Sequence, residues 1–550
     1  MMSKSTLIRA VADFETTTDL NDCRVWLWGY VTLDGKFTHG TGIDSFIDYV
    51  STVKQTCYFH NLKFDGSFIL DYLLNNGYEH TDTRAPRRGQ FTTIIDSMGK
   101  FYQIEVCFDN GTRVKFLDSL KKLPMTVRQI AETYQLAEGK GDIDYELPRP
   151  IGYSPTDAEV DYVRRDVTIV AQALSLMFEE KMTSITISSA SLCEFKRLVG
   201  NQFEPVFPKL DMVTDASIRK AYRGGWAYAK EDMRHKIVGP GSTYDVNSLY
   251  PSVMYNELMP RGEPQYTRTA ESLGGYPLQV TGRSVVGRLR PGFLPCIQIK
   301  GSSHFINVEY VKEIKEPTVL YGTNIDWQLW NKHYDLKYEK EYGTYHFKGS
   351  HGLFDKYIDK WMEVKAKSTG GMRHIAKLHL NSLYGKFGSN PSVQGKEPYL
   401  GNDGIVKFRN TDPEERKPIY LPVAIFTTAY ARRMTITAAQ DNYDRFLYAD
   451  TDSLHLLGTH PPHGVDVDPH ALGKWKHEYD FDEGLFIRAK QYGERVGDEY
   501  VVHIAGAPRS ITDRMTLADM VDGAVFHGKL VPVRTRGGVV LTDTTFTLKY

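Results

Sequence analysis

The chain has 550 residues, which is more than one hydrophobic core usually holds and predicts at least two domains. Its net charge of −1 argues against a protein that coats DNA without specificity, but not against an enzyme whose acidic metal sites offset basic grooves. No apolar run reaches about 18 residues, which excludes a membrane span, and the start MMSKSTLIRA lacks the apolar stretch of a signal peptide. Five scattered cysteines without a C-x-x-C pair indicate reduced thiols of a cytosolic protein.

The first part of the chain, about 180 residues, has the hydrophobic pattern of an α/β domain. Ser154, with Pro155 next and Asp157 three residues on, predicts the cap of its last helix. The polar stretch 183–191 is the predicted domain boundary. The predicted elements are strands at residues 7–14 and 57–59 and helices at residues 63–74 and 156–182.

Acidic residues recur in this part at positions that can converge. In ADFETTT, Asp13 and Glu15 share one side of a strand because side chains alternate with period two. Asp65 follows the second strand, and Asp166 lies one helical turn after Tyr162. Four such acids can hold two Mg²⁺ or Mn²⁺ ions, one activating water and one stabilising the leaving oxygen of a cleaved phosphodiester. Tyr162 is then placed to orient the attacking water.

Neighbouring residues extend this interpretation. Asn61 and Phe64 suit a frayed single strand, one by hydrogen bonding and the other by stacking. In GKGDIDY, Lys140 can stabilise phosphate charge in the transition state. Asp142, which we count with the metal ligands, and Asp144 are either adjacent to the metals or ordinary loop acids.

The second part of the chain combines strands with a pair of helices. Gly370-Gly371 separates the two helices and predicts an antiparallel helical hairpin. The sequence FLYADTDSLH (446–455) reads as strand, turn and strand, and Gly537-Gly538 as the turn of a β-hairpin. The predicted elements are a strand at residues 243–246, a helix whose first residue is Pro251, and helices at residues 353–367 and 372–384.

The acids of FLYADTDSLH have two interpretations. Asp and Thr suit tight turns, so Asp450 and Asp452 can simply belong to a β-hairpin. They repel one another unless a cation neutralises them, so the alternative is a divalent-metal site. Asp245, at the end of another strand, supplies the further carboxylate of a two-metal clamp. The turn 247–249 next to it opens a helix whose amides attract phosphate, and Tyr250 can pack under a nucleotide sugar.

The helix after Gly371 carries regularly spaced cations. Arg373, Lys377 and Tyr384 recur on one face, where cations can hold the β and γ phosphates of a nucleotide. The alternative is an ordinary polar helix face. Tyr384 offers a flat ring near the template base. In RAKQYGE, Lys490 and Tyr492 are interpreted as residues near the primer end.

The ordered motifs resemble the family B DNA polymerases, and among them the protein-primed branch. The resemblance extends from residue 13 to the C-terminus and implies an α/β and α+β multidomain fold, with an RNase H-like 3′–5′ exonuclease domain at 1–185 and a right-hand polymerase domain at 186–550. The stretches that carry it include DFETTT, YFHNLKFDGSF, DSLKKLP, KGDIDY, AYRGG, DVNSLYP, AKLHLNSLYGKF, YADTDS and GGVVL.

The resemblance also implies subdomains of the polymerase region. Two insertions are specific to the protein-primed branch: the first contacts the terminal protein, and the second helps enclose DNA. Residues 493–536 match the family poorly, so thumb contacts are not carried over. The implied subdomains are the palm (186–294 with 352–356 and 421–504), insertion 1 (about 295–351), the fingers (about 353–392), insertion 2 (about 393–420) and the thumb (about 505–550).

Residue roles follow from the same resemblance. The implied catalytic residues of the exonuclease are Asp13, Glu15, Asp65, Tyr162, Asp166 and Lys140, and its single-strand ligands are Thr16, Asn61, Phe64, Ser119 and Leu120. The implied polymerase acids are Asp245, Asp450 and Asp452, with the Val246 carbonyl near a metal. The implied nucleotide ligands are Ser248, Leu249, Tyr250 (which discriminates against the ribose 2′-hydroxyl), Lys365, Arg373, Lys377 and Tyr384. Tyr222, Gly224 and Gly225 of YRGG are implied to contact DNA and coordinate synthesis with editing.

The implied function is a DNA-directed DNA polymerase that replicates linear phage-type DNA by protein priming, with proofreading and strand displacement. Two Mg²⁺ ions per active site are expected, with Mn²⁺ accepted. The expected partners are template-primer DNA, dNTPs and a terminal protein, and the protein is expected to be a monomer, or a heterodimer with the terminal protein at initiation, in the cytoplasm of an infected bacterial host. The alternatives are a polymerase that starts only from nucleic-acid primers and a replication factor whose metal sites are relics; the presence of all seven acids argues against the latter.

Overall fold

The structure is a computed structural model that describes residues 7–145, 147–299 and 310–550. Residues 300–309 of the predicted first insertion therefore lie outside the described residues. In the described part, no helix is both long enough and apolar enough to cross a membrane.

The N-terminal domain is built on a mixed eight-stranded sheet in the order β3-β2-β1-β4-β8-β7-β6-β5. The central strands β1, β4 and β8 are parallel, and β2 and β3 add to one edge in antiparallel fashion. Helix α4 packs on one face of β1 and β2, and α2 packs on the other face, so the carboxyl ends of β1 and β4 open between them. The elements are β1 (Ile8–Thr16), β2 (Val25–Thr32), β3 (Phe37–Gly40), α1 (Ile43–Val50), β4 (Gln55–Phe59), α2 (Leu62–Asn75), β5 (Glu79–His80), β6 (Gln90–Ile95), β7 (Phe101–Cys107), β8 (Arg113–Asp118), α3 (Val127–Tyr134) and α4 (Asp157–Glu179).

The predicted cap of α4 at Ser154 is wrong. The N-cap is Thr156, whose Oγ1 accepts a hydrogen bond from Glu159 N at 3.3 Å, while Glu159 Oε2 accepts from Thr156 N at 2.9 Å. This register puts a glutamate, the residue that closes a capping box, at the third helical position. The predicted linker 183–191 is also partly helical, because a helix capped by Thr186 begins at Ile187.

A five-stranded antiparallel sheet, in the order β22-β11-β21-β20-β9, lies at the centre of the second part of the chain. Strands β11 and β21 are neighbours with Asp245 opposite Ser453, and the β20–β21 hairpin forms as predicted. Helix α12 packs on this sheet, and α8 packs on α12. The elements up to here are α5 (Ile187–Val199), α6 (Phe203–Val206), α7 (Met212–Arg219), β9 (Ala227–Ala229), β10 (Ile237–Val238), β11 (Gly241–Val246), α8 (Leu249–Asn256), β12 (Met259–Thr267), β13 (Leu278–Leu289), β14 (Glu313–Thr323), α9 (Asn324–His333), β15 (Tyr334–Ser350), α10 (Asp355–Lys367), α11 (Gly370–Phe387), β16 (Ser392–Val393), β17 (Lys396–Leu400), β18 (Val406–Asn410), β19 (Glu414–Glu415), α12 (Pro422–Asp441), β20 (Phe446–Asp450), β21 (Ser453–Leu457) and β22 (Trp475–Phe481).

Two predicted helix starts are wrong by two residues. Helix α8 begins at Leu249 rather than at Pro251, after Ser248 in the left-handed conformation. The proline occupies the third helical position, where its missing N–H costs no intrahelical bond. Helix α11 begins at Gly370 rather than at Met372, so the two glycines belong to its first turn. The helical hairpin itself is confirmed, since α10 and α11 pack against each other.

The predicted first insertion shares its sheet with earlier residues. Strands β12 and β13, which precede residue 295, pair with β15 and β14 in the order β12-β15-β13-β14. The sheet therefore crosses the boundary predicted at residue 295, and we propose that the insertion begins near Met259; the other boundaries stay predictions. A buried ion pair, Arg432 Nη2 to Asp326 Oδ1 at 2.7 Å, ties α9 of this insertion to α12.

The β17–β18 ribbon and the C-terminal β26–β27 hairpin contact the N-terminal domain. Phe408 of the β17–β18 ribbon packs against Phe101, with ring centroids 5.6 Å apart, and Arg536 Nε donates to Asp403 O at 2.8 Å. Val540, after the confirmed turn at Gly537, is buried in the N-terminal core. The remaining elements are β23 (Glu483–Arg488), β24 (Gln491–Val496), β25 (Glu499–Ile504), α13 (Arg509–Thr512), β26 (Val525–Thr535) and β27 (Gly538–Thr547), with β10, β23, β24 and β25 in one sheet.

Candidate active sites

The first carboxylate site lies where β1, α2 and α4 meet. Asp13 and Glu15 come from β1, Asp65 from the first turn of α2, and Asp166 from α4. Glu15, Asp65 and Asp166 are each at most 4% exposed. Phe14 N donates to Asp65 Oδ1 at 3.2 Å, which joins the strand to the helix. The structure therefore brings together the four acids that the sequence predicts.

Positive charge is scarce at this first site. Lys140 Nζ donates to Asp166 Oδ2 at 2.8 Å, while the buried Oδ1 of the same carboxylate has no hydrogen-bond partner among the described residues. Burial, followed by repulsion from Asp166, raises the pKa of Asp13 to about 7. Burial first, and then neighbouring carboxylates, also raise the pKa values of Glu15 and Asp65 well above their usual range. A site of hard oxygen donors with excess negative charge fits divalent cations such as Mg²⁺.

A cavity of about 690 Å³ opens beside these acids and is lined by Asn61, Leu120 and Lys140. Asp118, which is 1% exposed, positions two of the predicted ligands: its Oδ1 accepts from Asn61 N at 3.1 Å and from Leu120 N at 2.9 Å. Asn61 has a positive φ of 82°, so the backbone turns sharply from β4 into α2. The sequence analysis missed Asp118, although its position at the end of β8, parallel to β4, is a usable signal.

The other predicted single-strand ligands have different surroundings. Ser119 is fully buried and its Oγ donates to Phe59 O at 3.0 Å, so its side chain supports the site from within. His60, another missed residue, lines the cavity with Nδ1 3.0 Å from Ser119 Oγ. Phe64 is half-buried against Phe68, with centroids 5.6 Å apart, and Thr16 ends β1.

Tyr162 lies with the acids, but Asp142 does not. The Tyr162 hydroxyl is 2.9 Å from that of Tyr145, and repulsion from Asp166 adds to burial in raising its pKa. The Asp142 side chain is 95% exposed and pairs with Arg128 Nη2 at 3.4 Å. Asp142 therefore does not lie with the four acids in this structure, and its role as a metal ligand stays a prediction.

The second carboxylate site lies on the five-stranded sheet. Asp245 ends β11, and the β20–β21 turn carries Asp450 and Asp452. Val246 N donates to Asp452 O at 2.9 Å, which fixes the turn against β11. Burial and then repulsion from Asp452 raise the pKa of Asp245 to about 7. The pKa of Asp452 is also raised, mainly by burial and then by Asp450, so these oxygen donors fit divalent cations as well.

Cations of α10 and α11 face this second site across a cavity of about 820 Å³. Lys365 Nζ donates to Ser248 Oγ at 3.1 Å, and Arg373 Nη1 donates to Lys365 O at 2.6 Å. Burial, together with repulsion from Lys377 and Arg373, lowers the pKa of Lys365. Such a crowd of cations favours an anion in the cavity. Leu249 lies at the start of α8, beside the cavity.

The rings of Tyr250 and Tyr384 stack at the wall of this cavity, with centroids 3.9 Å apart. The sequence analysis missed Lys476 and Glu478, which also line it. They alternate on β22, which forms the edge of the sheet beside β11. Their strand carries no recognisable motif, so their position depends on the pairing of β22 with β11.

The YRGG segment lies against the turn of the second site. The Tyr222 hydroxyl lies beside Gly388, where an added Cβ atom would be 2.4 Å away, and Gly225 lies beside Thr451 at the centre of the Asp450–Asp452 turn. Thr451 N donates to Trp226 O at 2.8 Å. Gly224 O accepts from Arg432 Nη1 at 2.9 Å. The segment therefore supports the turn through backbone contacts.

Lys490 and Tyr492 approach the same turn from the other side. Lys490 Nζ donates to both carboxylate oxygens of Asp450, at 2.9 and 3.1 Å. Its N donates to the hydroxyl of Tyr448 at 2.8 Å, and the rings of Tyr448 and Tyr492 are 4.7 Å apart. Asp450 is thus paired directly with Lys490, whereas among the described residues no lysine or arginine nitrogen lies within 4.0 Å of the Asp245 or Asp452 carboxylate.

Comparison with known proteins decides the family. A model of the DNA polymerases of type B, organellar and viral, matches residues 48–152 and 148–469. This chain belongs to that family. The polymerase is 41% identical to the DNA polymerase of Bacillus phage Nf, over 98% of this chain and 99% of the relative, and 34% identical to that of Streptococcus phage Cp-1, over 98% of each. Its fold matches phi29 DNA polymerase complexed with primer-template DNA and incoming nucleotide substrates, with a TM-score of 0.94, 39% identity, and coverage of 99% of this chain and 100% of the other.

The match confirms the predicted fold class, a multidomain type B polymerase with exonuclease and polymerase domains. The polymerase is 40% identical over 98% of both chains to the DNA polymerase of Bacillus phage phi29. The resemblance read from the motifs is thereby confirmed as well. Polymerases of this family use divalent metals, in agreement with the oxygen-rich composition of both carboxylate sites.

Proposed function

We propose that the second site extends DNA primers by nucleotidyl transfer. The observation that carries this proposal is the position of Asp245 and Asp452 across one cavity from Lys365, Arg373 and Lys377. The cations hold the triphosphate of a dNTP, and the amides at the start of α8, at Ser248 and Leu249, receive a phosphate. The likeness to a phi29 DNA polymerase complex with primer-template DNA and nucleotides supports DNA and dNTPs as the substrates.

Asp245, Asp452 and the Val246 carbonyl, with Asp450 close by, would hold two Mg²⁺ ions, for which Mn²⁺ could substitute. When bound, such ions would supply neutralisation of the phosphate charge. Tyr250 packs under the sugar and rejects a ribose 2′-hydroxyl, and its stacked partner Tyr384 receives the nascent base pair. Lys490 and Tyr492 of the opposite wall contact the primer end.

We propose that the first site is a 3′–5′ exonuclease that proofreads the primer. Asp13, Glu15, Asp65 and Asp166 hold two divalent ions, which supply an activated water and charge neutralisation when bound. Tyr162 orients the water, and Lys140 moves from Asp166 to the phosphate whose charge it stabilises. Thr16, Asn61, Phe64 and Leu120 contact the single strand, and Ser119 supports them.

Tyr222, Gly224 and Gly225 couple the two activities in this proposal. Their segment follows α7 and contacts Thr451 of the polymerase turn. In this proposal, a primer end that moves from the polymerase turn to the first site passes this segment. Contacts with it therefore influence which site the primer end occupies.

Separation of the two activities tests the proposal. Asp452→Ala should lower primer extension by about 10³-fold or more, because charge stabilisation is usually the largest catalytic contribution. It should leave degradation of single-stranded DNA within about twofold of the wild-type rate. Asp13→Ala combined with Glu15→Ala should have the reverse effects. If either variant lost both activities while remaining folded, as judged by thermal unfolding, the assignment of one activity to each site would be wrong.

We further propose that synthesis starts on a terminal protein. The sheet β12-β15-β13-β14 interrupts the chain between α8 and α10, and its helix α9 is tied by the Arg432–Asp326 pair to α12, which packs on the five-stranded sheet of the second site, so a partner bound there would be held in a fixed position relative to that sheet. Incubation with the terminal protein and labelled dATP should give a protein–nucleotide adduct. Extension of a DNA primer without such an adduct would support the rival function, a polymerase started only by nucleic-acid primers.

Strand displacement and processive synthesis complete the proposal, in the cytoplasm of an infected bacterial host. The contacts Phe408–Phe101 and Arg536–Asp403 join insertion 2 to the N-terminal domain and to the C-terminal hairpin, which supports a closed path for DNA. Phe408→Ala with Arg536→Ala should shorten the products of a single binding event on a primed circle. Addition of one nucleotide should be unchanged, and full-length products from the double variant would contradict the role of these contacts.

A further inference from the structure

A third cluster of metal-binding side chains shares no residue with either carboxylate site and lies where the N-terminal domain meets the β17–β18 ribbon. His80 comes from β5, Asp82 follows it, and Glu397 comes from β17. One ligand atom of each lies within 4.8 Å of the other two. From these contacts we propose that His80, Asp82 and Glu397 bind one divalent transition cation of the Zn²⁺ class, which joins the ribbon to the N-terminal domain.

The hydrogen bonds of His80 prepare one ring nitrogen for a cation. Nε2 is 3.0 Å from Thr93 Oγ1, on the neighbouring strand β6. Nδ1 instead faces Glu397 Oε2 at 3.8 Å, which is too long for a hydrogen bond. When Nε2–H donates to Thr93, the lone pair of Nδ1 points at an oxygen of Glu397, and the two electron-rich atoms repel each other. A cation between them would replace this repulsion with one metal–nitrogen and one metal–oxygen bond. A hydrogen bond from the other ring nitrogen is the usual arrangement of a metal-bound histidine.

The other two proposed ligands, Glu397 and Asp82, supply negative charge, and Asp82 is exposed to solvent. Glu397 is half-buried, and its Oε1 accepts a hydrogen bond from Arg409 Nε, which leaves Oε2 directed towards His80. Asp82 is exposed, and a cation held at about 2.0–2.2 Å from each ligand atom requires its carboxylate to approach by no more than about 1.5 Å. The two carboxylates outnumber the single Arg409, so a dication leaves the cluster with a net charge near +1.

The ligand set also predicts the kind of ion. One imidazole with two carboxylates suits Zn²⁺, Co²⁺ or Mn²⁺, whereas Mg²⁺ prefers oxygen ligands alone. The catalytic carboxylate sites consist of oxygen donors, so Mg²⁺ in excess occupies them while leaving this cluster to Zn²⁺. The proposal is therefore independent of the catalytic assignments and can fail without affecting them.

The ribbon is the element that the ion would restrain. It already contacts the N-terminal domain through Phe408 and through a β-bridge between Asp96 and Gly395. An ion shared by His80 and Glu397 adds a further attachment at the start of β17. Zinc should thus stabilise the chain and protect the ribbon from proteolysis, because it binds the folded state alone.

Equilibrium dialysis against Zn²⁺ with millimolar Mg²⁺ present tests the proposal. Wild-type protein should bind one equivalent more than His80→Ala and than Asp82→Asn, and only the wild type should show a zinc-dependent rise in Tm and protection of the ribbon. Thr93→Val, which keeps all three ligands, should weaken zinc binding by about tenfold. His463→Ala is the matched control, since His463 lies in an exposed pair with His460, with ring centroids 6.1 Å apart, and its loss should leave this equivalent unchanged.

Two outcomes would overturn the site. Equal zinc stoichiometry and affinity in wild type, His80→Ala and Asp82→Asn would show that the ion binds elsewhere. Loss of the extra equivalent in His463→Ala alone would assign it to the exposed histidine pair. Because Asp82 is exposed, Asp82→Asn should fold normally even if His80→Ala does not.

Discussion

The two carboxylate sites of this polymerase place similar acidic side chains in different electrostatic settings. Among the residues that the structure describes, the four acids of the first site hydrogen-bond to one cation, Lys140. At the second, Asp245 and Asp452 face Lys365, Arg373 and Lys377 across an open cavity. Hydrolysis of one phosphodiester needs little fixed positive charge beyond the bound metals, whereas a triphosphate brings several negative charges that protein cations must hold. On the proposed assignment, the number of nearby cations, more than the acids themselves, distinguishes the hydrolytic site from the polymerising site.

Removal of one cation from the second site should have the largest of the following effects, and it should impair that site alone. Lys377→Ala should raise the KM for dNTP by about tenfold to a hundredfold, the effect of losing one hydrogen bond to a charged group. Exonuclease activity should stay unchanged. Lys367→Ala is the matched control, because Lys367 lies on the adjacent α10 but is 73% exposed and pairs with Glu363. Steady-state primer extension gives the KM for dNTP of both variants, and degradation of single-stranded DNA gives their exonuclease activity. If Lys377→Ala lowered exonuclease activity as much as primer extension, the contrast between the two sites would be wrong.

Substitution of two adjacent glycines by alanine should affect primer extension differently. A Cβ atom at Gly225 would lie 2.6 Å from Thr451 Oγ1, whereas one at Gly224 meets nothing within 4 Å. Gly225→Ala should displace the turn that carries Asp450 and Asp452 and slow extension by about tenfold, in line with the sensitivity of catalysis to small misplacements. Gly224→Ala should extend primers at nearly the wild-type rate. Equal effects of the two variants in a single-turnover assay would show that the turn does not depend on this contact.

The smallest effect concerns pH and metal together. In the folded, metal-free protein the pKa values of Asp13 and Asp245 are raised to about 7, so these groups keep protons that the unfolded chain loses near pH 4. Stability is therefore lost as the pH rises towards and through 7. Mg²⁺ should raise Tm more at pH 8 than at pH 6, and Asp245→Asn should raise the metal-free unfolding free energy at pH 8 by about 0.5–2 kcal/mol.

Thermal unfolding in EDTA and in Mg²⁺ at both pH values measures this effect. Asp450→Asn is a useful comparison, because Lys490 already partly neutralises that carboxylate and its replacement should stabilise less. A metal-induced rise in Tm that is the same at pH 6 and pH 8 would show that the buried acids are already charged in the metal-free protein.

The sequence predicted the parts of the sites that depend on local pattern. The alternation in ADFETTT put Asp13 and Glu15 on one side of β1, and the apolar flanks of Asp450 and Asp452 predicted their hairpin. The convergence of Asp13 with Asp166 came from the order of motifs and depends on the packing of α4 across β1.

What the sequence could not predict depends on long-range packing or on competing local signals. Thr156 rather than Ser154 caps α4, since Glu159 completes the box. The side chain of Asp142 is exposed and pairs with Arg128, a position that the acidic motif KGDIDY alone does not specify. Lys476 enters the second cavity only because β22 pairs with β11, which no local motif specifies.

A single assay on a primer with a mismatched 3′ end tests the central claim, that two separate carboxylate sites divide building from cutting. The wild-type enzyme should trim the mismatch and then extend, and Asp452→Ala should trim without extending. Asp13→Ala combined with Glu15→Ala should leave the mismatch in place yet extend a matched primer at the normal rate. Trimming that disappears in Asp452→Ala, or extension of the matched primer that disappears in the Asp13 and Glu15 variant, would contradict the account.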